Sequence, residues 1–308
     1  MRQGETAPKA SWSGPIGGVK APEPIVLPDP ALRFARTAAR LEGLAADHPA
    51  EGWLSFMAEV AHGQHSAAAT GREPQIPGDA EIRKAVIARI PPIAADGHRR
   101  DSVWRGDLTV LLRQFDRAPL PDAARLVIAD MSTRDAAAIE ALADAFLHGE
   151  IDEADAGAAF WIAAALQVYF TRLAGRLPVS ELRLLERRDL CPCCGSTASA
   201  GFVSAAGPTP GARYLYCSLC STAWNHTRAQ CIGCGGARTL SLRGVEGDPG
   251  IVCAETCDEC GTYAKLIYES KDTEADPYAD DLASLGLDMM IGEAGWLRHA
   301  PNPLLLVR

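Results

Sequence analysis

Cysteine is absent from the first 190 residues of this 308-residue chain. That stretch has no thiol with which to bind a soft metal or close a disulfide. Positive charge is also short: 30 Lys and Arg stand against 39 Asp and Glu, a net charge of −9. An acidic chain repels phosphate, which argues against a nucleic-acid partner. Long apolar runs are missing. Before the cysteines, the longest uncharged run, Ala156 to Thr171, has 16 residues. A membrane span needs about 18 or more, so a buried helix is expected there and no membrane span.

Residues 1–30 lack an apolar signal core and a cleavage pattern, and hold six prolines (Pro8, Pro15, Pro22, Pro24, Pro28, Pro30). They read as a disordered leader, and the expected compartment is the cytoplasm. There thiols stay reduced, so clustered cysteines point to metal rather than to disulfides. No Gly-rich phosphate loop, nucleophile motif or paired acid–base grouping is visible, so no enzymatic activity is expected.

What is present begins with a hydrophobic fraction of 47%, ample for a buried core. The N-terminal part reads as helices. Asp29-Pro30 supplies a cap and a first-turn proline ahead of Ala31 to Ala46. Apolar residues then recur at helical spacing: Trp53, Leu54, Met57, Val60 and Ala61; Ile82, Val86 and Ile90; Trp104, Leu108, Leu111, Leu112 and Phe115; Ile139, Leu142, Ala143 and Phe146. The uncharged run, with Phe160, Trp161, Ala164, Val168 and Tyr169, is expected at the centre of a bundle. His62 and His65 share a helix face, but no carboxylate pattern makes them metal ligands.

All 10 cysteines lie between Cys191 and Cys260. Eight form four Cys-x-x-Cys knuckles: Cys191/Cys194, Cys217/Cys220, Cys231/Cys234 and Cys257/Cys260. Each cysteine of the second pair of knuckles follows its counterpart in the first by 40 residues, so the segment is an internal duplication. Two residues between cysteines let a tight turn aim both sulfurs at one ion. A glycine after the knuckle permits the positive φ that such a turn often needs. Two knuckles complete a tetrahedral four-sulfur shell, which zinc and iron both accept. Each copy contains a full ligand set, so two ions are expected, one per copy. Cys193 and Cys253 are left over: the first cannot share the geometry of Cys194, and the second is expected only to pack. Strand-like segments between knuckles (Phe202-Val203, Arg213 to Tyr216, Thr239 to Leu242, Gly250 to Val252) make each copy a small antiparallel ribbon folded on its ion. After them, Asp276-Pro277 starts a helix with Leu282, Leu285, Met289 and Trp296 on one face, ended by Asn302-Pro303.

The runs Cys191-Pro-Cys-Cys-Gly195, Arg213-Tyr-Leu-Tyr-Cys-Ser-Leu-Cys220 and Cys257-Asp-Glu-Cys-Gly-Thr-Tyr-Ala-Lys265 resemble the formate dehydrogenase accessory protein family FdhE. The tail segments Ala279 to Asp288 and Asn302-Pro-Leu-Leu305 are similar as well, as is Pro28-Asp-Pro-Ala-Leu-Arg-Phe34. The eight knuckle cysteines fall on the family's motif; Cys193 and Cys253 do not. The resemblance implies a non-catalytic maturation factor of the bacterial cytoplasm. Its partner would be the catalytic subunit of a respiratory formate dehydrogenase, a molybdenum enzyme. It also implies rubredoxin-like sites linked to iron, where spacing alone favours structural zinc.

Two other classes compete. A zinc-ribbon nucleic-acid-binding protein is disfavoured, because residues 186–271 carry eight basic and eight acidic side chains and no basic stripe. A rubredoxin-like electron carrier or a thiol oxidoreductase would also use Cys-x-x-Cys. The oxidoreductase motif, however, usually opens a helix after a strand, and these knuckles are followed by turn residues. The expected fold class is α plus small β: a leader (1–28), an all-helical domain (29–186), two tandem rubredoxin-like or zinc-ribbon modules (187–226 and 227–270) and a C-terminal helix with its tail (271–308).

Overall fold

The first helix begins where Asp29 caps it: its carboxylate accepts the Ala31 amide at 2.9 Å, and Pro30 occupies the first turn. The structure, a computed structural model, describes residues 21–115, 120–207, 209–300 and 302–305. The helices before the cysteines are α1 (Pro30–Ala45), α2 (Glu51–Thr70), α3 (Asp79–Ile87), α4 (Val103–Gln114), α5 (Asp122–Thr133), α6 (Ala136–His148) and α7 (Ala156–Ala174). The uncharged run is α7, and all but three of its 19 residues are buried. It lies among α2, α4, α5 and α6, and the stripes read on α2, α4 and α6 turn toward it.

Three local features differ from expectation. The stripe ending at Ile90 stops at Ile87, because Arg89 turns to φ +57° ahead of Pro91-Pro92 and leaves Ile90 exposed. Helix α5 carries no readable stripe, since it buries only Ile128 and Met131. Of the leader, residues 1–20 lie outside the described residues, but its end is ordered. Ile25–Val26 forms strand β1, with Ile25 buried. A two-residue strand is too short to show periodicity.

The cysteine region supplies β2 (Ala198–Val203), β3 (Arg213–Cys217), β4 (Ala223–Asn225), β5 (Leu240–Arg243), β6 (Val252–Cys257) and β7 (Thr262–Tyr268). The two ribbons are not separate. They join in one sheet whose seven-strand path runs β1-β4-β3-β2-β7-β6-β5, an eighth strand lying off it, through a parallel pairing of β2 with β7, Gly201 opposite Leu266. A Cβ at Gly201 would stand 2.6 Å from the Leu266 side chain, so a larger residue at that seam would force Leu266 to shift. The C-terminal segment is not one helix. Ser284 interrupts it, its hydroxyl donating to the Asp280 carbonyl at 2.6 Å, and α8 (Ala279–Ala283) gives way to α9 (Leu285–Glu293). The restart rotates the buried face to Leu287 and Ile291 and leaves Met289 exposed. Strand β8 (Leu297–Arg298) then pairs with β7.

Helices and sheet share one hydrophobic core. It runs from Leu41, Leu54 and Trp104 through α7 to Cys191, Leu215, Leu219 and Trp224. Polar groups on α7 extend that contact: Gln167 donates to the Ser218 carbonyl at 2.8 Å, and Thr171 meets Ser221 at 2.9 Å. Within the bundle, Arg172 of α7 forks onto Asp107 of α4 at 3.0 and 3.2 Å and also donates to the Gly71 and Arg72 carbonyls. Burial pushes the Asp107 carboxyl up to about 7 against the pull of Arg172.

Removing one partner of such a pair leaves a buried charge. Arg172→Met is therefore expected to lower unfolding free energy by about 3–5 kcal/mol at pH 8 in urea titrations. The stranded Asp107 then has a folded pKa above its unfolded one, so the native state binds the extra proton. The loss should shrink as pH falls from 8 toward 5. An equal loss at both pH values would show that this carboxylate is not the cause.

Candidate metal centres

The first knuckle of each copy is a turn closed by the same two backbone bonds. The Cys191 amide donates to the Ser196 carbonyl at 2.9 Å and Gly195 donates back to Cys191 at 2.9 Å. In the second copy Cys231 donates to Gly236 at 2.7 Å and Gly235 to Cys231 at 3.0 Å. The residue after each of the four knuckles has positive φ: Gly195 (+80°), Ser221 (+59°), Gly235 (+73°) and Gly261 (+70°). Three are glycine, as the turn prefers. Ser221 is held there by side-chain hydrogen bonds to Arg33 and Thr171.

The turns bring the eight sulfurs into two groups of four, Cys191, Cys194, Cys217 and Cys220, and Cys231, Cys234, Cys257 and Cys260. Within each group all sulfurs lie within 4.8 Å of one another. The groups follow the copies, with no pairing across them. In both, the first sulfur faces the fourth and the second faces the third, at 3.4 Å in the first group and 3.8 Å in the second. A tetrahedron with metal–sulfur bonds of about 2.3 Å has edges of about 3.8 Å, whereas a disulfide needs about 2.05 Å. The donor set thus fits one four-coordinate ion per copy, and neither group is a disulfide.

Hydrogen bonds to the sulfurs support that reading, since amide donors stabilise thiolates. Cys191 accepts from the Cys193 amide, Cys217 from the Leu219 and Cys220 amides, and Cys234 from the Gly236 amide, each at 3.4 Å. The threonines two residues past each closing knuckle add a contact: Thr222 lies 3.2 Å from Cys220 and Thr262 3.0 Å from Cys260. The cysteine spacing does not single out these hydroxyls, although Thr222 and Thr262 obey the same 40-residue period.

Burial drives the Cys191, Cys217 and Cys220 thiols up. It opposes ionisation of Cys194 too, but hydrogen bonds from the three neighbouring thiols outweigh it and hold Cys194 well below the usual thiol range. In the second group burial pushes Cys231 up to about 12. Cys257 is raised by burial but held to about 7 by the amides of Cys260 and Glu259. Four thiols crowded together cannot all ionise unaided. A bound cation supplies the charge that lets them do so.

The leftover cysteines separate. Cys193 is buried beside the first group, and its carbonyl accepts the Ile93 amide at 3.0 Å. Cys253 is half-buried on β6, and burial raises its thiol. Neither belongs to a four-sulfur group. His62 meets Glu42 at 2.8 Å rather than His65.

Two buried ion-pair networks hold the frame around the centres. Arg213 of β3 reaches across to Glu255 of β6 at 2.9 and 3.1 Å, and also meets His226 at 2.7 Å and the carbonyls of Thr227 and Gln230. Lys265 of β7 meets Asp288 at 2.6 Å and Asp281 at 3.2 Å, and Arg298 and Asn302 also reach Asp281.

Comparison with known proteins places this arrangement. Sequence models of the FdhE family match residues 22–186 as the N-terminal region, 190–228 as the central domain and 229–305 as the C-terminal domain. A Proteus mirabilis relative, named as a protein FdhE homolog, is 31% identical over 283 residues, 92% of this chain and 91% of the relative. One from Edwardsiella ictaluri is 33% identical over 296 residues, 96% of this chain and 94% of the relative. The crystal structure of the FdhE protein from Pseudomonas aeruginosa superposes with a TM-score of 0.82 at 32% identity, covering 91% of this chain and 98% of the other.

Metal analysis of the purified chain should give about two ions per molecule. Cys231→Ser should lose one of them and keep most of the helical circular dichroism. Cys191→Ser should also lose one, with a larger fall in thermal midpoint because its site lies in the shared core. A reduced, folded chain that takes up no ion would reject both assignments.

Proposed function

This chain belongs to the FdhE family, and from that premise we propose that it is a maturation factor which binds the catalytic subunit of a respiratory formate dehydrogenase during assembly. The observation that carries the proposal is the match to family models and relatives along nearly the whole chain. In this reading the protein acts in the cytoplasm, by binding and not by catalysis. Its eight knuckle cysteines hold two ions, iron by the family resemblance and zinc as the alternative that a closed four-sulfur shell allows.

The frame supports recognition without a large ordering cost. The knuckles and strands are fixed by one sheet, one core and the Arg213 and Lys265 networks, so a partner meets a preorganised surface. The ions, when bound, supply charge compensation and cross-links.

A second reading, a rubredoxin-like electron carrier, draws on one observation: Cys234 and Cys260 of the second centre are exposed, which is where an electron would enter or leave. A reversible one-electron midpoint in the iron form, with no partner bound, would favour it.

The test is a deletion strain with the tagged chain restored. Cells without the protein should lose respiratory formate dehydrogenase activity while transcribing the enzyme's genes normally, and the tagged chain should co-purify with the catalytic subunit. Full enzyme activity in the deletion strain, with no such subunit captured, would overturn the proposal.

A further inference from the structure

The two copies share a 40-residue period and a knuckle geometry, yet their surroundings are opposite. All four sulfurs of the first centre belong to buried residues. They lie in the core with Leu215, Leu219 and Trp224, and the Cys193 and Cys194 carbonyls are clamped by the Ile93 and Ala95 amides at 3.0 and 2.8 Å. In the second centre only Cys231 and Cys257 are buried; Cys234 and Cys260, one from each knuckle, face solvent. The sequence accounts for the difference position by position. Forty residues on from Ser218-Leu219, inside the second knuckle of each copy, stand Asp258-Glu259. Leu219 is 3% exposed, whereas Asp258 and Glu259 are exposed. Leu215 is replaced by Glu255, which is buried against Arg213 rather than in the apolar core, and the bulky Trp224 by the small, half-buried Ala264.

The second knuckle pair also has support that does not depend on an ion. Cys257 and Cys260 sit on the turn between β6 and β7, inside the sheet, and β6 is tied to β3 by the buried Arg213–Glu255 pair. Ile232 packs into the shared core and anchors the other knuckle.

We propose that the second four-cysteine site, Cys231, Cys234, Cys257 and Cys260, is an exchangeable ion site open to thiol-bearing donors and acceptors, whereas the first is a permanent structural site. At the first, an incoming ligand must open a core shared with the helical bundle, which requires near-global unfolding. At the second, an incoming sulfur can reach the ion beside Cys234 or Cys260 directly. The exchange balances: the incoming thiol gives up its proton as its sulfur takes a cysteine's place, and the displaced cysteine takes a proton up. Asp258 and Glu259 favour the approach of a cation to the open side.

The inference rests on both clusters holding ions; it does not depend on the formate dehydrogenase partner, so the test uses the full chain alone. The chain is loaded with two zinc ions, checked by metal analysis, and mixed with the chelating indicator pyridylazoresorcinol under native conditions, then with guanidinium. One zinc ion should leave in a fast phase, at least about a hundredfold ahead of the second, which should wait for unfolding. Iodoacetamide added after the fast phase, read by mass spectrometry, should label Cys231, Cys234, Cys257 and Cys260 and spare the first four. Cys234→Ser should remove the fast ion and keep the slow one. If that variant does not fold, the labelling of the unmodified chain decides. Release of both ions in one phase, retention of both until unfolding, or early labelling of Cys191, Cys194, Cys217 or Cys220 would overturn the proposal. A loaded chain that holds no zinc would instead reject the metal reading itself.

Discussion

Four sulfurs crowded into an apolar core set the terms for the rest of this molecule. Cys191, Cys194, Cys217 and Cys220 are at most 1% exposed, and burial alone would keep thiols neutral. A four-thiolate shell there needs a cation, and the cation needs a frame that does not let water in. That frame is α7. It is apolar for most of its length because one side serves the helical bundle and the other the cysteine knuckles. Its two polar positions nearest the knuckles, Gln167 and Thr171, are spent on Ser218 and Ser221 rather than on water. The helical part and the first ribbon are thus joined through the metal site's own surroundings, although the family models place a boundary near residue 187 between them.

Much of this is legible in the sequence. The 40-residue spacing identifies which sulfurs converge, because each knuckle constrains its own turn and each copy repeats it. The glycines at 195, 235 and 261 fall where positive φ is needed. The helices with broad apolar stripes are readable for the same reason that they fold: each has one face to bury. What is not legible depends on pairing between distant segments. Nothing local in Ile25–Val26 announces a strand edge, and nothing in Leu266 announces a parallel partner at Gly201. The tail misleads because Leu285 and Met289 fit a continuous helix, whereas the backbone departs from helix at Ser284 (φ −95°, ψ 31°), whose hydroxyl turns back onto the Asp280 carbonyl.

The buried charges follow a similar logic at longer range. Arg213 and Lys265 look like ordinary basic residues of an evenly charged segment, yet both are almost wholly buried, and each joins elements that the sequence keeps apart. Arg213 ties β3, the linker after β4 and β6 together, while Lys265 gathers α8 and α9 onto β7. Buried ion pairs are weak evidence for stability in themselves, since desolvation offsets attraction. Their contribution here is better read as register: a shift of β6 against β7 would strand Glu255 or Lys265 without a partner in an apolar setting, at a cost hydrophobic contacts would not impose.

That distinction bears on why a duplicated ribbon could diverge. The first copy carries Leu215, Leu219 and Trp224, which lie in the core. The second carries Glu255, Glu259 and Ala264 at the same places and took the sheet's outer side. A lone ribbon with so few apolar residues would depend on its ion to fold. Inside an eight-stranded sheet the second ribbon instead receives its order from β2 and from the Arg213–Glu255 pair. In the exchange proposal above, that support is what frees its ligands from burial, since the ion is not then asked to supply the folding energy of the unit that binds it. The same sequence motif, copied once, thus occupies two physical environments, one closed in the core and one with two ligands open to solvent, and in the exchange proposal above it is the environment rather than the motif that sets how readily an ion leaves.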